Sequence, residues 1–172
     1  ITLVYERELE GWLEYARYLW ECGSDAFILA DLGAAMALSR YIPGVRMHAS
    51  TQMSVHNSEG VRTLSRLGFE RVVVARELSR ENIRSINSGV DCEIETFVHG
   101  ALCVSHSGQC LFSSLVGGRS GNRGECAQPC RLPFGEGKKN GYPLSLKDLC
   151  LARYVPEWME MGVASFKIEG RM

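Results

Sequence analysis

The spacing of apolar segments along the chain restricts the fold more than any other feature of the sequence. Four segments have the composition of buried strands, and they begin at intervals of about 20 to 26 residues. These segments are residues 25–31, 45–51, 71–77 and 93–100, and a fifth strand is predicted at residues 165–170. This spacing is typical of repeated β/α units, whose strands lie parallel in one sheet.

The segments between the strands have the apolar periodicity of amphipathic helices. Asn57 or Ser58 is a favourable N-cap residue at the beginning of one of them, and Ser79 at the beginning of another. We expect a bend or break near Pro156, because proline removes a helical hydrogen bond. Helices are predicted at residues 8–23, 57–69, 79–89 and 146–162.

Right-handed crossovers of this length produce either an open doubly wound sheet or a (β/α)8 barrel. Five units are too few to close an eight-stranded barrel, and the sequence begins within the pattern and without Met. We therefore predict an α/β fold, the C-terminal part of a (β/α)8 TIM-type barrel, as a single domain over residues 1–172. Its open sheet edges predict that it forms a homodimer, exchanges segments or covers these edges itself.

The composition restricts the partners and the compartment. A formal net charge of −1 gives no overall attraction to nucleic acid, so an RNA-binding surface would be a local patch. No apolar run reaches the roughly 20 residues that span a bilayer, and we expect no membrane partner. Seven cysteines without a secretion signal indicate a reducing cytoplasm, where clustered cysteines usually serve metal or redox chemistry.

The β/α alternation stops between Gly100 and Ser165. We define residues 101–145 as the cysteine-rich insertion, which contains many glycines and four cysteines. Loops of this length in a compact domain are usually functional, and loops that follow barrel strands build the active site. The insertion is therefore predicted to lie at the active site.

The cysteines of the insertion are candidate metal ligands. They are Cys103, Cys110, Cys126 and Cys130. Structural zinc sites prefer pairs separated by about two to four residues, which the second pair satisfies and the first does not. Four thiolates also bind a [4Fe–4S] cluster, which tolerates irregular spacing. Zinc, unligated thiols and a disulfide are the alternatives, and Cys150 is a substitute ligand unless it packs in its predicted helix.

Polar side chains at the carboxyl ends of barrel strands face a common mouth. General acid–base roles are assigned to His99, Glu77 and Glu169, with structural ion pairs as the alternative for the two glutamates. Arginines in the glycine-rich loop suit phosphate contacts, and those at strand ends suit bidentate contacts to an anion. The substrate-binding candidates are Gln52, Arg76, Arg119, Arg123, Arg131, Lys167 and Arg171.

The segment "ETFVHGALCVSHSGQCLFS", residues 95–113, resembles the signature of the peptidase U32 family. That signature reads E-x-F-x-x-G-[SA]-[LIVM]-C-x4-G-x-C-x-[LIVM]-S. Phe112 departs from it by placing a larger apolar side chain where an aliphatic one is usual. The segments "HASTQMSVHNSEG", "RVVVARELS", "GGRSGNRGECAQPCR" and "SFKIEGRM" are also similar to blocks of the family, so the resemblance covers essentially the whole chain.

The resemblance implies two classes of function. The family is named for a metal-dependent, collagenase-like protease, whereas other members are similar to iron–sulfur proteins that hydroxylate RNA. We expect iron–sulfur-dependent hydroxylation of RNA, with a tRNA uridine as substrate, and keep a peptidase acting on peptide or collagen as the alternative. The chain has no H-E-x-x-H or G-x-S-x-G motif, which leaves Cys103 with His99 or His106 as a nucleophilic dyad. A cluster-binding module without activity of its own is the third hypothesis.

Overall fold

The computed structural model describes residues 3–135 and 141–170. Its strands are β1 Phe27–Leu29, β2 Met47–Ala49, β3 Phe69–Val73, β4 Glu93–Gly100, β5 Leu149–Cys150 and β6 Ser165–Glu169. Its α-helices are α1 Leu9–Glu21, α2 Leu32–Tyr41, α3 Ser58–Arg66, α4 Arg80–Ser88, α5 Phe112–Gly117 and α6 Val155–Glu160. Within these residues no helix is long and apolar enough to cross a bilayer.

The strands form one curled sheet in which β1, β2, β3 and β4 are parallel neighbours. Strand β6 lies parallel beside β4, and the short β5 pairs antiparallel with the last two residues of β4. All five predicted parallel strands are present. Strand β3 begins before its predicted start and ends at Val73, so Arg76 and Glu77 lie on the loop that follows it.

Local capping chemistry explains why the predicted helices α3 and α4 begin where they do. The Asn57 side chain accepts a hydrogen bond from the N–H of Gly60, and the Ser79 hydroxyl accepts one from the N–H of Asn82. Each bond satisfies a backbone donor that has no partner within its helix. The Ser79 cap is confirmed, and of the two candidates Asn57 and Ser58 the cap is Asn57.

The helix predicted at residues 146–162 is wrong in its first half. Residues 149–150 form β5, and the α-helix begins only at Val155, after a 3-10 turn at Ala152–Tyr154. Pro156 lies in the first helical turn, where its missing N–H has no intrahelical partner to lose. Cys150 consequently lies exposed on β5 and does not pack in a helix core.

The apolar core lies between one face of the sheet and the helices. Strand residues of this cluster include Leu29, Ala49, Val72, Ile94 and Val98, and helix residues include Leu38, Val61, Ile83 and Trp158. Charged side chains occupy the other face, where Lys167 Nζ lies 2.8 Å from Glu95 Oε1. Both faces of the central strands are covered, since residues 94–98 of β4 and Met47–Ala49 of β2 are all buried. The face that carries Glu95 and Lys167 is available for a site.

Candidate functional site

A cavity of about 180 Å³ lies beside the carboxyl ends of the strands, and we define it as the cysteine cavity. Each of the four predicted metal ligands lines it: Cys103, Cys110, Cys126 and Cys130. Side chains that follow or end β2, β3 and β6 complete its wall, namely Gln52, Arg76 and Glu169. The fold therefore brings together thiols that are up to 27 residues apart in the sequence, counting from 103 to 130.

Hydrogen bonds within the insertion position the cysteine loops. Asn122 Nδ2 donates to the carbonyl of Gly108 at 2.8 Å, which ties the two halves of the insertion together. The Ser113 hydroxyl accepts a hydrogen bond from the N–H of Ala127 at 2.9 Å, next to Cys126. The N–H of Gln128 lies 3.4 Å from Cys126 Sγ, a contact that stabilises a thiolate ligand.

The thiol of Cys130 lines the same cavity as the other three thiols, and its pKa responds to them. Burial raises the pKa of the Cys130 thiol, and the neighbouring thiols of Cys103, Cys126 and Cys110 raise it further, although Arg131 opposes them. A positive centre among the sulfurs would remove this repulsion, because metal binding deprotonates coordinating thiols. The donor set therefore fits a cationic group.

Among the described residues, no three of the thiols lie within 4.8 Å of one another. A tetrahedral zinc ion with Zn–S bonds of about 2.3 Å would place its sulfurs about 3.8 Å apart, so the thiols would have to move to bind one. Cys150 does not line this cavity.

A second cavity, of about 380 Å³, lies on the polar face of the sheet, and we define it as the sheet cavity. Its wall contains Ser50, Thr51, Phe97, Lys167 and Ile28. Gln52, Arg76 and Glu169 line both cavities, so the two spaces meet at these three side chains. A molecule in the sheet cavity would thus lie next to whatever the cysteines bind.

The side chains between the cavities have unused hydrogen-bonding capacity. Arg76 Nη1 lies 3.0 Å from Glu169 Oε2, and its guanidinium stacks 4.6 Å from the centre of the Phe97 ring. The ion pair is not aligned as a hydrogen bond, so Glu169 Oε2 is buried without a hydrogen-bond partner, as are Arg76 Nε and Gln52 Oε1. Buried polar atoms without any partner are rare in native proteins. Gln52 Oε1 and Arg76 Nε at this boundary therefore indicate a binding site for a polar ligand.

Glu77 lies at the rim of the cysteine cavity, in a cluster with two histidines. Its carboxylate accepts hydrogen bonds from the Ser107 N–H at 3.0 Å and the Ser107 hydroxyl at 2.8 Å. His56 Nε2 and His106 Nδ1 lie 2.8 Å and 3.2 Å from Glu77 Oε1. Burial alone would raise the pKa of Glu77, but the bonds from Ser107 and His56 outweigh it and lower the pKa to about 2. Such a carboxylate is suited to hold a cation rather than to transfer protons.

Five of the predicted residues line neither cavity: Glu77, His99, Arg119, Arg123 and Arg131. His99 is exposed, lies at a β-bulge of β4, and lines neither cavity. Arg123 forms a paired contact of 2.9 and 3.0 Å with the carboxylate of Glu8 and donates to the Leu3 carbonyl. It therefore attaches the insertion to the segment before α1. Arg171 lies outside the described residues.

The remaining basic candidates differ in how many of their charged groups already have a partner in the protein. Arg131 donates to the carbonyls of Leu102 and Leu146, which braces the insertion from within. Lys167 lines the sheet cavity but is paired with Glu95. Arg119 is exposed and uses only its Nε, in a hydrogen bond to the Glu125 carbonyl. Among the insertion arginines, its charge is the most accessible.

The cluster around Glu77 is the part of the site that sequence reasoning missed. His56 was not among the predicted site residues, and His106 was considered only as the partner of Cys103 in a nucleophilic dyad. His56 lies on the segment after β2 and Glu77 on the segment after β3, whereas His106 lies in the insertion. The signal available in the sequence was that all three follow the ends of neighbouring strands, which meet at one edge of a parallel sheet.

Sequence comparison identifies relatives of two kinds. The chain is 42% identical, over 99% of its length, to the 23S rRNA 5-hydroxycytidine C2501 synthase of Escherichia coli K12. It is 36% identical, over 98% of its length, to the tRNA hydroxylation protein P1 of Bacillus subtilis 168. It is also 34% identical, over 99% of its length, to a protein of Porphyromonas gingivalis W83 named collagenase. The chain spans only 27%, 43% and 45% of these three proteins.

Structure comparison and family comparison agree with each other. A solved structure described as the U32 peptidase Mk0906 matches 96% of this chain with a TM-score of 0.57 and 18% identity. The match covers 62% of that protein, and at this identity it shows a common fold. The model of peptidase family U32 matches residues 1–172. The resemblance of the cysteine signature is thereby confirmed, and the chain belongs to peptidase family U32.

Proposed function

We propose that the full-length protein is an iron–sulfur-dependent RNA hydroxylase, with a tRNA uridine as its expected target. The observation that supports this most directly is the position of the cysteines. Cys103, Cys110, Cys126 and Cys130 line one cavity, and that cavity shares its wall with a second, polar cavity on the sheet. Relatives named for hydroxylation of rRNA and tRNA support the same reaction class.

The architecture we propose is the C-terminal part of a (β/α)8 barrel with a cysteine-rich insertion. The parallel sheet and the match to 62% of the U32 structure support it. In the described residues β1 pairs only with β2, which leaves an edge where preceding barrel strands would pair. Dimerisation through that edge stays a prediction.

The chain's own residues would hold and orient the substrate base. A cluster bound by the four thiolates would supply electron-transfer chemistry. A base turned out of its stack could enter the sheet cavity, whose volume of about 380 Å³ lies within the ordinary range of ligand pockets. Gln52 and Arg76 would then direct their unpaired polar atoms towards the edge of that base. Arg119 would contact phosphate outside the cavity.

The test is to supply the full-length protein to an E. coli strain that lacks its 23S rRNA 5-hydroxycytidine C2501 synthase and its tRNA hydroxylation protein P. Nucleosides from separated rRNA and tRNA are quantified by mass spectrometry against an empty-vector strain. We expect a hydroxylated pyrimidine in the tRNA pool, lost in Cys126→Ser and retained in Cys150→Ser. If the hydroxylated product is found only in rRNA, the substrate is rRNA and not tRNA, while the proposed reaction stands.

The peptidase alternative is tested with the same variants. A Cys103–His99 dyad has no support in the geometry, because His99 does not line the cavity that Cys103 lines. Cys103 and His106 do share that cavity. Gelatin cleavage that persists in Cys126→Ser, together with RNA that stays unmodified in wild type, would replace the hydroxylase proposal with the peptidase.

A further inference from the structure

We propose that His56, Glu77 and His106 form a mononuclear binding site for a divalent transition-metal ion of the zinc and iron(II) class. In the described residues this is the set of three potential ligand atoms that lie within 4.8 Å of one another. The site is separate from the four cysteines and does not depend on the proposed hydroxylation.

The hydrogen bonds of His56 determine which form of the ring faces Glu77. His56 Nδ1 lies 2.7 Å from the Ser54 carbonyl, an oxygen that only accepts, so Nδ1 must carry a proton. In the neutral ring, Nε2 therefore has a free lone pair, and it faces Glu77 Oε1 at 2.8 Å. A proton on Nε2, donated to Glu77, or a metal ion between the two atoms removes the repulsion of their electron pairs. A ring whose other nitrogen donates to a carbonyl is the usual arrangement for a metal-binding histidine.

The distances among the donor atoms fit a single coordination sphere. Bonds of about 2.0 to 2.2 Å from a zinc ion to nitrogen and oxygen place neighbouring ligand atoms roughly 3.0 to 3.5 Å apart. Glu77 Oε1 lies 2.8 Å from His56 Nε2 and 3.2 Å from His106 Nδ1. The two imidazole rings meet edge to face, with centroids 6.1 Å apart, so they do not stack against each other. Small movements would complete the site.

The residues around Glu77 hold its carboxylate in a form and orientation that suit metal binding. Ser107 donates its N–H and its hydroxyl to Glu77, which fixes the orientation of the carboxylate and keeps it ionised. Two imidazoles and one carboxylate suit zinc or iron(II) and leave coordination positions open. His106 lines the cysteine cavity, so an ion here would lie at the edge of the space that the thiols enclose.

The test uses zinc as the probe and the full-length protein purified without oxygen. The protein receives a small excess of Zn²⁺, is desalted, and is analysed for zinc content and by X-ray absorption at the zinc edge. We expect a zinc ion with nitrogen and oxygen ligands at about 2.0 to 2.2 Å, distinct from sulfur at about 2.3 Å. His106→Asn should lower zinc affinity by at least about tenfold, because it removes a ligand. Its side chain is 75% exposed, so the variant should fold.

The matched control is His99→Asn, which makes the same change on an exposed histidine away from the cluster. It should retain zinc like the wild type, and His56→Asn should lose it like His106→Asn. The proposal is overturned if the wild type retains no zinc with nitrogen and oxygen ligands, or if His106→Asn and His99→Asn bind zinc equally. Iron and sulfide, measured in the same samples, report on the cysteines independently, so failure of this site and failure of the cluster are distinguishable.

Discussion

The α-carbon of Gly108 packs against the backbone carbonyl of Gln52, with no space for a side chain between them. A Cβ on residue 108 would overlap that oxygen, and the residue has a φ of +76°, which L side chains rarely adopt. Gln52 follows β2, while Gly108 lies between Cys103 and Cys110. This contact therefore attaches the first cysteine loop to the end of the sheet.

Replacing Gly108 by Ala should displace the cysteine loop from the sheet. We expect a loss of at least about 2 kcal/mol in the free energy of unfolding, from the overlap and the strained φ, together with loss of bound iron. Thermal unfolding and iron analysis measure the two effects. The control is Gly117→Ala at the end of α5, where a Cβ meets open space and should change little. Equal iron in both variants would contradict the role we give to this contact.

Each cysteine of the cavity should be required for the cluster. Anaerobically purified protein should be brown and contain iron and sulfide, and Ser at any of the four positions should remove most of both, because a hydroxyl is a poor ligand for iron. Visible absorbance and chemical analysis provide the measurement. Cys22→Ser and Cys150→Ser are the controls, since both thiols are exposed and line neither cavity. Zinc without iron in the wild type would refute the cluster.

Arg119 and Arg123 should respond differently in RNA binding. Arg119 is exposed, so Arg119→Ala should reduce the slope of log affinity against log salt by roughly one unit, the effect of one lost phosphate contact. Arg123 is held by Glu8, so Arg123→Ala should leave that slope unchanged and lower the melting temperature instead. The measurement is binding of the full-length protein to unmodified tRNA across a salt series. If Arg123→Ala reduces the slope and Arg119→Ala does not, Arg123 is the residue that contacts phosphate.

Lys167 should stabilise the fold through Glu95. Glu95 is 5% exposed, and its carboxylate lies 2.8 Å from Lys167 Nζ and 3.7 Å from Arg71. Lys167→Met should therefore cost about 2 to 3 kcal/mol of unfolding free energy, because it leaves a buried charge with one distant partner. Adding Glu95→Gln should recover most of this loss in chemical denaturation. If the double variant is no more stable than Lys167→Met, the ion pair is not the cause.

His48 should make stability depend on pH below neutrality. Burial lowers the pKa of His48, and the nearby Arg71 lowers it further, although Glu95 opposes this. The unfolded chain titrates near pH 6.5, so at lower pH it binds a proton that the folded state resists, and stability falls as the pH decreases from 6.5 towards the folded pKa. His48→Gln should reduce the drop in melting temperature between pH 7 and pH 5. If the fall in melting temperature is unchanged in this variant, titration of other groups causes it.

Short-range patterns in the sequence were sufficient for the main elements of the fold. The apolar segments and the caps predicted the parallel strands and helices α1, α3 and α4, because strand burial and capping depend on neighbouring residues. Helix α2 at Leu32–Tyr41 was not among the predicted helices. The structure also explains why two positions of the cysteine signature are glycine. Gly100 and Gly108 lie where the backbone of Glu169 and of Gln52 leaves no room for a Cβ, so a motif of this spacing requires glycine there.

Contacts between distant segments decided the rest, and no local pattern encodes them. Arg123 was predicted to meet substrate, but its partner Glu8 is 115 residues away, and only the packing of the insertion on the first helix brings them together. Residues 149–150 have a helical pattern, yet they pair with the end of β4. His56, Glu77 and His106 meet because parallel strands end at one edge of the sheet. The sequence alone determined the parallel strands and their order, whereas the short β5 and the partners of the side chains depended on which segments the tertiary structure packs together.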